Sequence, residues 1–362
     1  MATHLSFVLQ LAIITSCAAA RESQPTIAIL RDLGKAAGLF IGSAAGVSHF
    51  QNDSQYNLTL GQQFSLVTPE NACKWTATEP SNGKFDFTEC DFILNVAMTF
   101  KQVFRGHNLC WGVHNPSWLQ KLAGNKTALI DVLTRHVHTV ASRYKGKAYA
   151  WDVVNEAVLD NPTSNQTLKT NIWYPAVSNY IDLAFKTAHE ADPQAKLFYN
   201  DYNSEGLNGK SNAIYEMLKS MIQRGIPVHG VGLQSHFTLG DDFTKMKNPK
   251  LGRPAPSYND MAANIKRLAD LGLEVHITEL DVSFAGGTGT EQQKLQQQAE
   301  VYGNVLKACL SNKMCKNYEV WGYIDKYSWR KSNYEPDLFD SNYKPKPCFD
   351  TVAAMLQNKT VV

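Results

Sequence analysis

Short continuous apolar runs recur along the chain. Between them lie longer stretches in which apolar residues return every three or four positions. The first kind reads as buried strands, the second as helices with one inward face. The pattern predicts strands over 38–42, 64–67, 102–109, 149–155, 196–199, 230–233, 274–278 and 318–324. Helices are predicted over 27–37, 91–100, 126–144, 180–191, 210–224, 258–271, 291–310 and 349–356. Two helix ends carry stop signals, Asp192-Pro193 and Gly225. The polar stretch 44–63 reads as a loop.

Eight buried strands alternating with helices describe an α/β protein built as a single (β/α)8 barrel, and at this length the barrel is one domain. A doubly wound open sheet would carry a glycine-rich phosphate turn early, and no GxGxxG follows the first predicted strand. Gly286-Gly287-Thr288-Gly289 falls in a late loop and reads as a linker.

The strand ends change the picture from fold to chemistry. Trp151-Asp152-Val153-Val154-Asn155-Glu156 is an apolar strand that ends abruptly in an amide and a carboxylate. A second strand, Val275-His276-Ile277-Thr278-Glu279, also delivers a glutamate. Polar groups at buried strand tips are costly unless they work. Two such carboxylates on one sheet suggest the paired-acid chemistry of glycoside hydrolysis. Active sites of these barrels lie at the C-terminal strand ends. There the chain places Glu70, Asn71, Lys74, His107, Trp111, Asn155, Glu156, Asn200, Gln234, His236, Glu279, Trp321 and Trp329.

Of the 362 residues, 44% are hydrophobic and 19% charged, with a formal net charge of +2. This balance carries no basic run suited to nucleic acid. The first twenty residues hold an apolar core from Leu5 to Ile14 and the small residues Ala18-Ala19-Ala20. They read as a signal peptide over 1–20, too short to span a membrane, ahead of a catalytic barrel over 21–362. The expected protein is secreted, extracellular and monomeric. Six cysteines remain after Cys17, and an oxidising compartment permits disulfides. Cys309 and Cys315 flank a short polar turn and are expected to pair. Cys73 and Cys110 each follow a predicted strand, which suggests a bridge between neighbouring strand ends and leaves Cys90 and Cys348 as the remainder. Sequons at Asn52, Asn57, Asn125, Asn165 and Asn358 offer glycosylation sites in the same compartment. His136 and His138 lie inside a predicted helix without a ligand set and read as structural, so no metal and no cofactor is expected.

Seven motifs, all at strand ends, resemble those of family 10 glycoside hydrolases, typified by endo-1,4-β-xylanases. They are Thr68-Pro69-Glu70-Asn71 with Lys74-Trp75, Arg105-Gly106-His107, the strand ending Asn155-Glu156, Asn200-Asp201-Tyr202-Asn203, Gln234-Ser235-His236, Ile277-Thr278-Glu279, and Trp321-Gly322 with Asp325 to Trp329. The resemblance runs from about residue 35 onward. It implies Glu156 as general acid/base and Glu279 as nucleophile of a retaining double displacement, with carboxyl groups roughly 5–5.5 Å apart. It places Glu70, Asn71, Lys74 and His107 on the glycone sugars, Asn155 on the sugar 2-hydroxyl, and Trp111, Trp321 and Trp329 as flat walls. Asn155 and His236 are expected to hydrogen-bond Glu279 and favour its charged form.

The chain departs from the family pattern beside the third-strand tryptophan. Trp111 is followed by Gly112 where histidine is common, and His114 stands where glutamine is common. Thr76 replaces a common aspartate. Removing an imidazole would open a wall that excludes hexoses, worth about 1–3 kcal/mol of discrimination. The sequence therefore leaves two substrates open within the family: xylan, or a plant saponin such as α-tomatine, from which some members release the oligosaccharide. A non-catalytic carbohydrate-binding or inhibitory barrel is the alternative from another class, and the intact acid pair argues against it.

Overall fold

A computed structural model describes residues 27–240, 253–330 and 334–359. The expected signal peptide lies outside these residues. The strands among them are β1 (Phe40–Ala45), β2 (Leu66–Pro69), β3 (Val103–Trp111), β4 (Ala148–Asn155), β5 (Lys196–Asp201), β6 (Gly230–Leu233), β7 (His236–Thr238), β8 (Glu274–Ser283) and β9 (Cys315–Val320). All pair in parallel. β1 to β6 follow one another, β6 pairs with β8, β8 with β9, and β9 returns to β1. Eight strands thus close a barrel, and β7 is a short extension alongside β8. This is the single (β/α)8 barrel expected from the alternation.

Local chemistry sets the helix ends. Asn125 caps the helix Lys126–Arg143 by accepting from the amide of Ala128 at 3.1 Å. Thr290 and Gln293 form a reciprocal capping box at the start of Glu291–Leu310. The helix Lys126–Arg143 buries Leu129, Val132, Leu133, His136, Val137 and Val140, the spacing of one inward stripe. His136 meets Glu79 at 2.8 Å and stacks on Trp75 at 3.6 Å, while His138 is exposed on the same helix.

Three expectations need correction. The stretch 44–63 is not a loop but carries helices Val47–Asn52 and Ser54–Gln63. Asp53 caps the second, accepting from the Tyr56 amide, and Tyr56 and Leu60 bury one turn apart. Polar Thr59 and Gln63 are buried as well, and Gln63 accepts from the Leu30 amide at 3.0 Å. A helix that buries polar residues hides its period from a count of apolar ones. The last strand begins and ends earlier than 318–324, because Gly322 turns the chain at φ 93° just beyond Val320. The cysteines pair as Cys73–Cys90 and Cys309–Cys315, whereas Cys110 and Cys348 are buried thiols. The loop after β2 folds back on the helix Thr88–Thr99, which brings Cys73 to Cys90 rather than to Cys110 on β3.

Candidate active site

The strand register carries the site. Trp111, Asn155, Asn200 and Gly232 lie side by side across β3 to β6. Glu156 is the first residue beyond β4. Its backbone takes the left-handed region at φ 56°, and its amide donates to the Asn200 carbonyl at 2.9 Å. The next two amides, of Ala157 and Val158, donate to the Tyr199 hydroxyl at 3.0 and 3.1 Å. A strained residue fixed by three neighbouring bonds is a common device at functional sites. Glu279 sits within β8, its amide bonded to the Gln234 carbonyl at 2.9 Å.

One cleft of about 270 Å³ receives these side chains. Its lining contains Glu70, Asn71, Lys74, His107, Trp111, Asn155, Glu156, Gln234, His236, Glu279, Trp321 and Trp329, all the strand-end side chains picked out from the sequence except Asn200. His114 joins them. The two glutamates are buried, at 6% and 5% exposure, so neither is a surface carboxylate at a strand end.

A relay of amides joins the two acids. Gln234 Nε2 donates to Glu156 at 3.1 Å and to Asn155 Oδ1 at 3.3 Å. Asn200 Nδ2 donates to the same Asn155 oxygen at 2.9 Å and to Glu279 Oε1 at 2.7 Å. Thr278 fixes Asn200 by donating to its Oδ1 at 2.7 Å. Asn155 therefore does not bond Glu279, contrary to expectation. Its oxygen is occupied by two amides, and Asn200 makes the bond instead. Asn200 appears among the strand-end polar residues, but nothing in its own motif distinguishes it from its neighbours. The cross-strand register is the signal that finds it.

The second oxygen of Glu279 meets His236 Nε2 at 3.1 Å, as expected. His236 Nδ1 bonds Asp281 at 2.8 Å, and Asp281 also accepts from Trp329 Nε1 at 2.8 Å and pairs with Arg330 at 2.6 Å. Burial alone would lower the His236 pKa. The charge and hydrogen bond of Asp281, aided by Glu279, outweigh burial and raise it to about 9. His236 is thus an imidazolium at neutral pH. Burial likewise pushes Glu279 upward, but the His236 hydrogen bond and the field of His107 win and hold it below its ordinary value.

The remaining walls follow the same logic. Asp152 holds His107 at 2.9 Å from below and is paired to the buried Arg105. Gly106 lies between them because a Cβ there would approach the Trp151 ring to 2.1 Å. Trp111 Nε1 donates to Glu156 at 3.3 Å, and the Lys74 ammonium lies 5.4 Å from the Trp111 ring centre. Lys74 also donates to Asn71 at 2.8 Å. His114 stacks on Trp111 at 4.9 Å. Gly112 packs against Asn171, where a Cβ would come within 2.7 Å of Asn171 Nδ2, and neither residue is in the cleft lining.

Paired buried acids, amide donors and aromatic walls on the C-terminal rim of a (β/α)8 barrel define a glycoside hydrolase. Residues 29–355 match the model of Glycosyl hydrolase family 10. An endo-1,4-beta-xylanase B of Neocallimastix patriciarum is 39% identical over 325 residues, covering 89% of this chain and 35% of that protein. An endo-1,4-beta-xylanase B of Thermotoga neapolitana is 35% identical over 91% of this chain and 92% of its own length. The crystal structure of native xylanase 10B from Thermotoga maritima superposes with a TM-score of 0.84 at 35% identity, covering 92% of this chain and 99% of that one. The chain belongs to glycosyl hydrolase family 10.

Proposed function

We propose that this protein is an endo-1,4-β-xylanase that cleaves internal bonds of xylan with retention of configuration. The observation that carries the reading is the placement of Glu156 and Glu279 in one cleft, joined through Gln234, Asn155 and Asn200. Both relatives named above are endo-1,4-beta-xylanases by name, which supports xylan as substrate. Glu279, kept ionised by Asn200 and His236, attacks the anomeric carbon while Glu156 gives its proton to the departing oxygen. The glycosyl ester on Glu279 is then hydrolysed by a water that Glu156 deprotonates. Asn155 uses only its oxygen within the relay, which leaves its amide nitrogen to donate to the sugar 2-hydroxyl. Lys74, Asn71, Glu70 and His107 hold the glycone sugars, with Trp111, Trp321 and Trp329 against their faces. Residues 21–362 act as one catalytic domain in an extracellular, disulfide-permissive setting. The two disulfides support that location.

The test is proton NMR of xylotetraose hydrolysis with the natural protein and Glu279→Ala. The β-anomer is expected to form first, and the variant to be inactive. First formation of the α-anomer, or turnover by the variant, would sink the assignment. Faster release of tetrasaccharide from α-tomatine than of xylobiose from xylan would sink the substrate.

A further inference from the structure

Two hollows adjoin on the N-terminal face of the barrel, at the end opposite the cleft. The larger, about 420 Å³, lies where β1 and β3 begin and is ringed by Arg31, Lys35, Lys101 and Lys316, with Asp32 as its single carboxylate. The second, about 320 Å³, shares Gly38, Leu39 and Lys316 with the first, adds Lys313, and has no acidic residue in its lining. Together they make one trough with five cations against one acid. The whole chain carries 35 basic and 33 acidic residues, so this local excess does not mirror the average.

The trough also differs from an ordinary solvated face in how its charges are held. Lys196, at the start of β5, is paired to Glu274 at 3.2 Å. Among the described residues, no carboxylate forms an ion pair with Lys35, Lys101, Lys313 or Lys316. The Arg31 guanidinium is fixed by the carbonyls of Gly61 at 2.6 Å, Phe100 at 3.1 Å and Lys101 at 3.4 Å, neutral acceptors that orient it without cancelling its charge. Phe40, half-buried in the lining of the larger hollow and packed edge-on against Tyr149, offers an apolar surface between the cations.

We propose that this trough is a second carbohydrate site, which takes a stretch of uronic-acid polysaccharide. A compact anion such as phosphate needs donors converging on one point. Here the cations are strung along two joined hollows, which suits carboxylates repeated along a polymer. The apolar surface of Phe40 suits the C–H face of a pyranose. Because the trough and the cleft lie at opposite ends of the barrel, a bound acidic strand would tether the protein without blocking the cleft.

The experiment is native affinity electrophoresis in gels containing polygalacturonate, with duplex DNA as a polyanion lacking sugar carboxylates. The natural protein is compared with the triple variant Lys35→Glu, Lys101→Glu and Lys316→Glu. We expect retardation by polygalacturonate, weakened about tenfold in the variant and further by salt, since exposed charges contribute little singly and are screened. Hydrolysis of xylotetraose should be unchanged. A triple Lys→Gln variant, which adds no new charge, provides the same reading should the glutamate variant fold poorly. No retardation of the natural protein, equal retardation of the variants, or equal retardation by DNA would each overturn the proposal. None of these outcomes depends on the cleft, so the proposed activity is tested separately.

Discussion

Replacing Asp281 by asparagine separates the charge that holds the site from its shape. Asp281 is the acceptor behind His236, and its charge is the first of the influences that raise His236 to about 9 against burial. Without that charge burial prevails, the imidazole becomes neutral, and Glu279 loses a charged donor. Glu279 lies below its ordinary value because that donor, together with the field of His107, outweighs its own burial, so its pKa should rise. A hydrogen bond to a charged group is worth about 1.5–3 kcal/mol. At 1.36 kcal/mol per unit, the acid limb of kcat/KM should move upward by about 1–2 pH units. The assay is kcat/KM on an aryl xylobioside across that limb, which reports groups of the free enzyme. A thermal melt of the same variant is needed, because Arg330 would lose its buried partner, a change that costs about 3–5 kcal/mol when a buried pair is broken. A folded variant whose acid limb stays in place would refute the electrostatic role assigned to Asp281 and His236.

Other outcomes follow from the same geometry. Glu156→Ala should lower turnover of xylan by roughly 10²–10⁴ and cost less on aryl glycosides with good leaving groups, where azide should accelerate the slowed release of the glycosyl-enzyme; equal loss on both substrates would exclude Glu156 as the acid. The folded-state pKa of His236, about 9, lies above the ordinary imidazole value of about 6.5, so its contribution to stability is complete below about 6.5 and is lost as pH rises through 9. Urea midpoints should fall over that window, and the His236→Asn variant should show a shallower fall. Removing Cys73 and Cys90 together opens a loop of sequence separation 17, which should cost about 3 kcal/mol, read as a lower urea midpoint; an unchanged midpoint would mean the bridge constrains nothing.

The residues that line the cleft were legible because they break a rule. Asn155, Glu156 and Gln234 are polar groups at the ends of apolar strands, His236 follows β6 closely and Glu279 interrupts apolar β8, and a barrel collects such groups toward its C-terminal end. What could not be read was pairing at right angles to the chain. Asn200 bonds Glu279 across 79 positions, and the β4–β5 and β5–β6 registers that set it there are invisible along one strand. The Cys73–Cys90 bridge was missed for a related reason: it joins a loop to a helix, and loops carry no period. The helix Ser54–Gln63 escaped because its inward face includes Thr59 and Gln63, whose partners lie elsewhere in the fold. Gly112 suggests a gap along the sequence, and only the three-dimensional neighbourhood shows that it packs against Asn171, outside the cleft lining.

The amide relay has a wider consequence. Its members come from the ends of β4, β5 and β6 or the next residue, and from within β8, so the spacing between Glu156 and Glu279 is a dimension of the sheet and not of the loops above it. Insertions or exchanges in those loops can reshape what enters the groove while the stereochemical outcome stays constant. A library of loop-swapped descendants should therefore diverge in the glycans they accept and agree in the anomer they release.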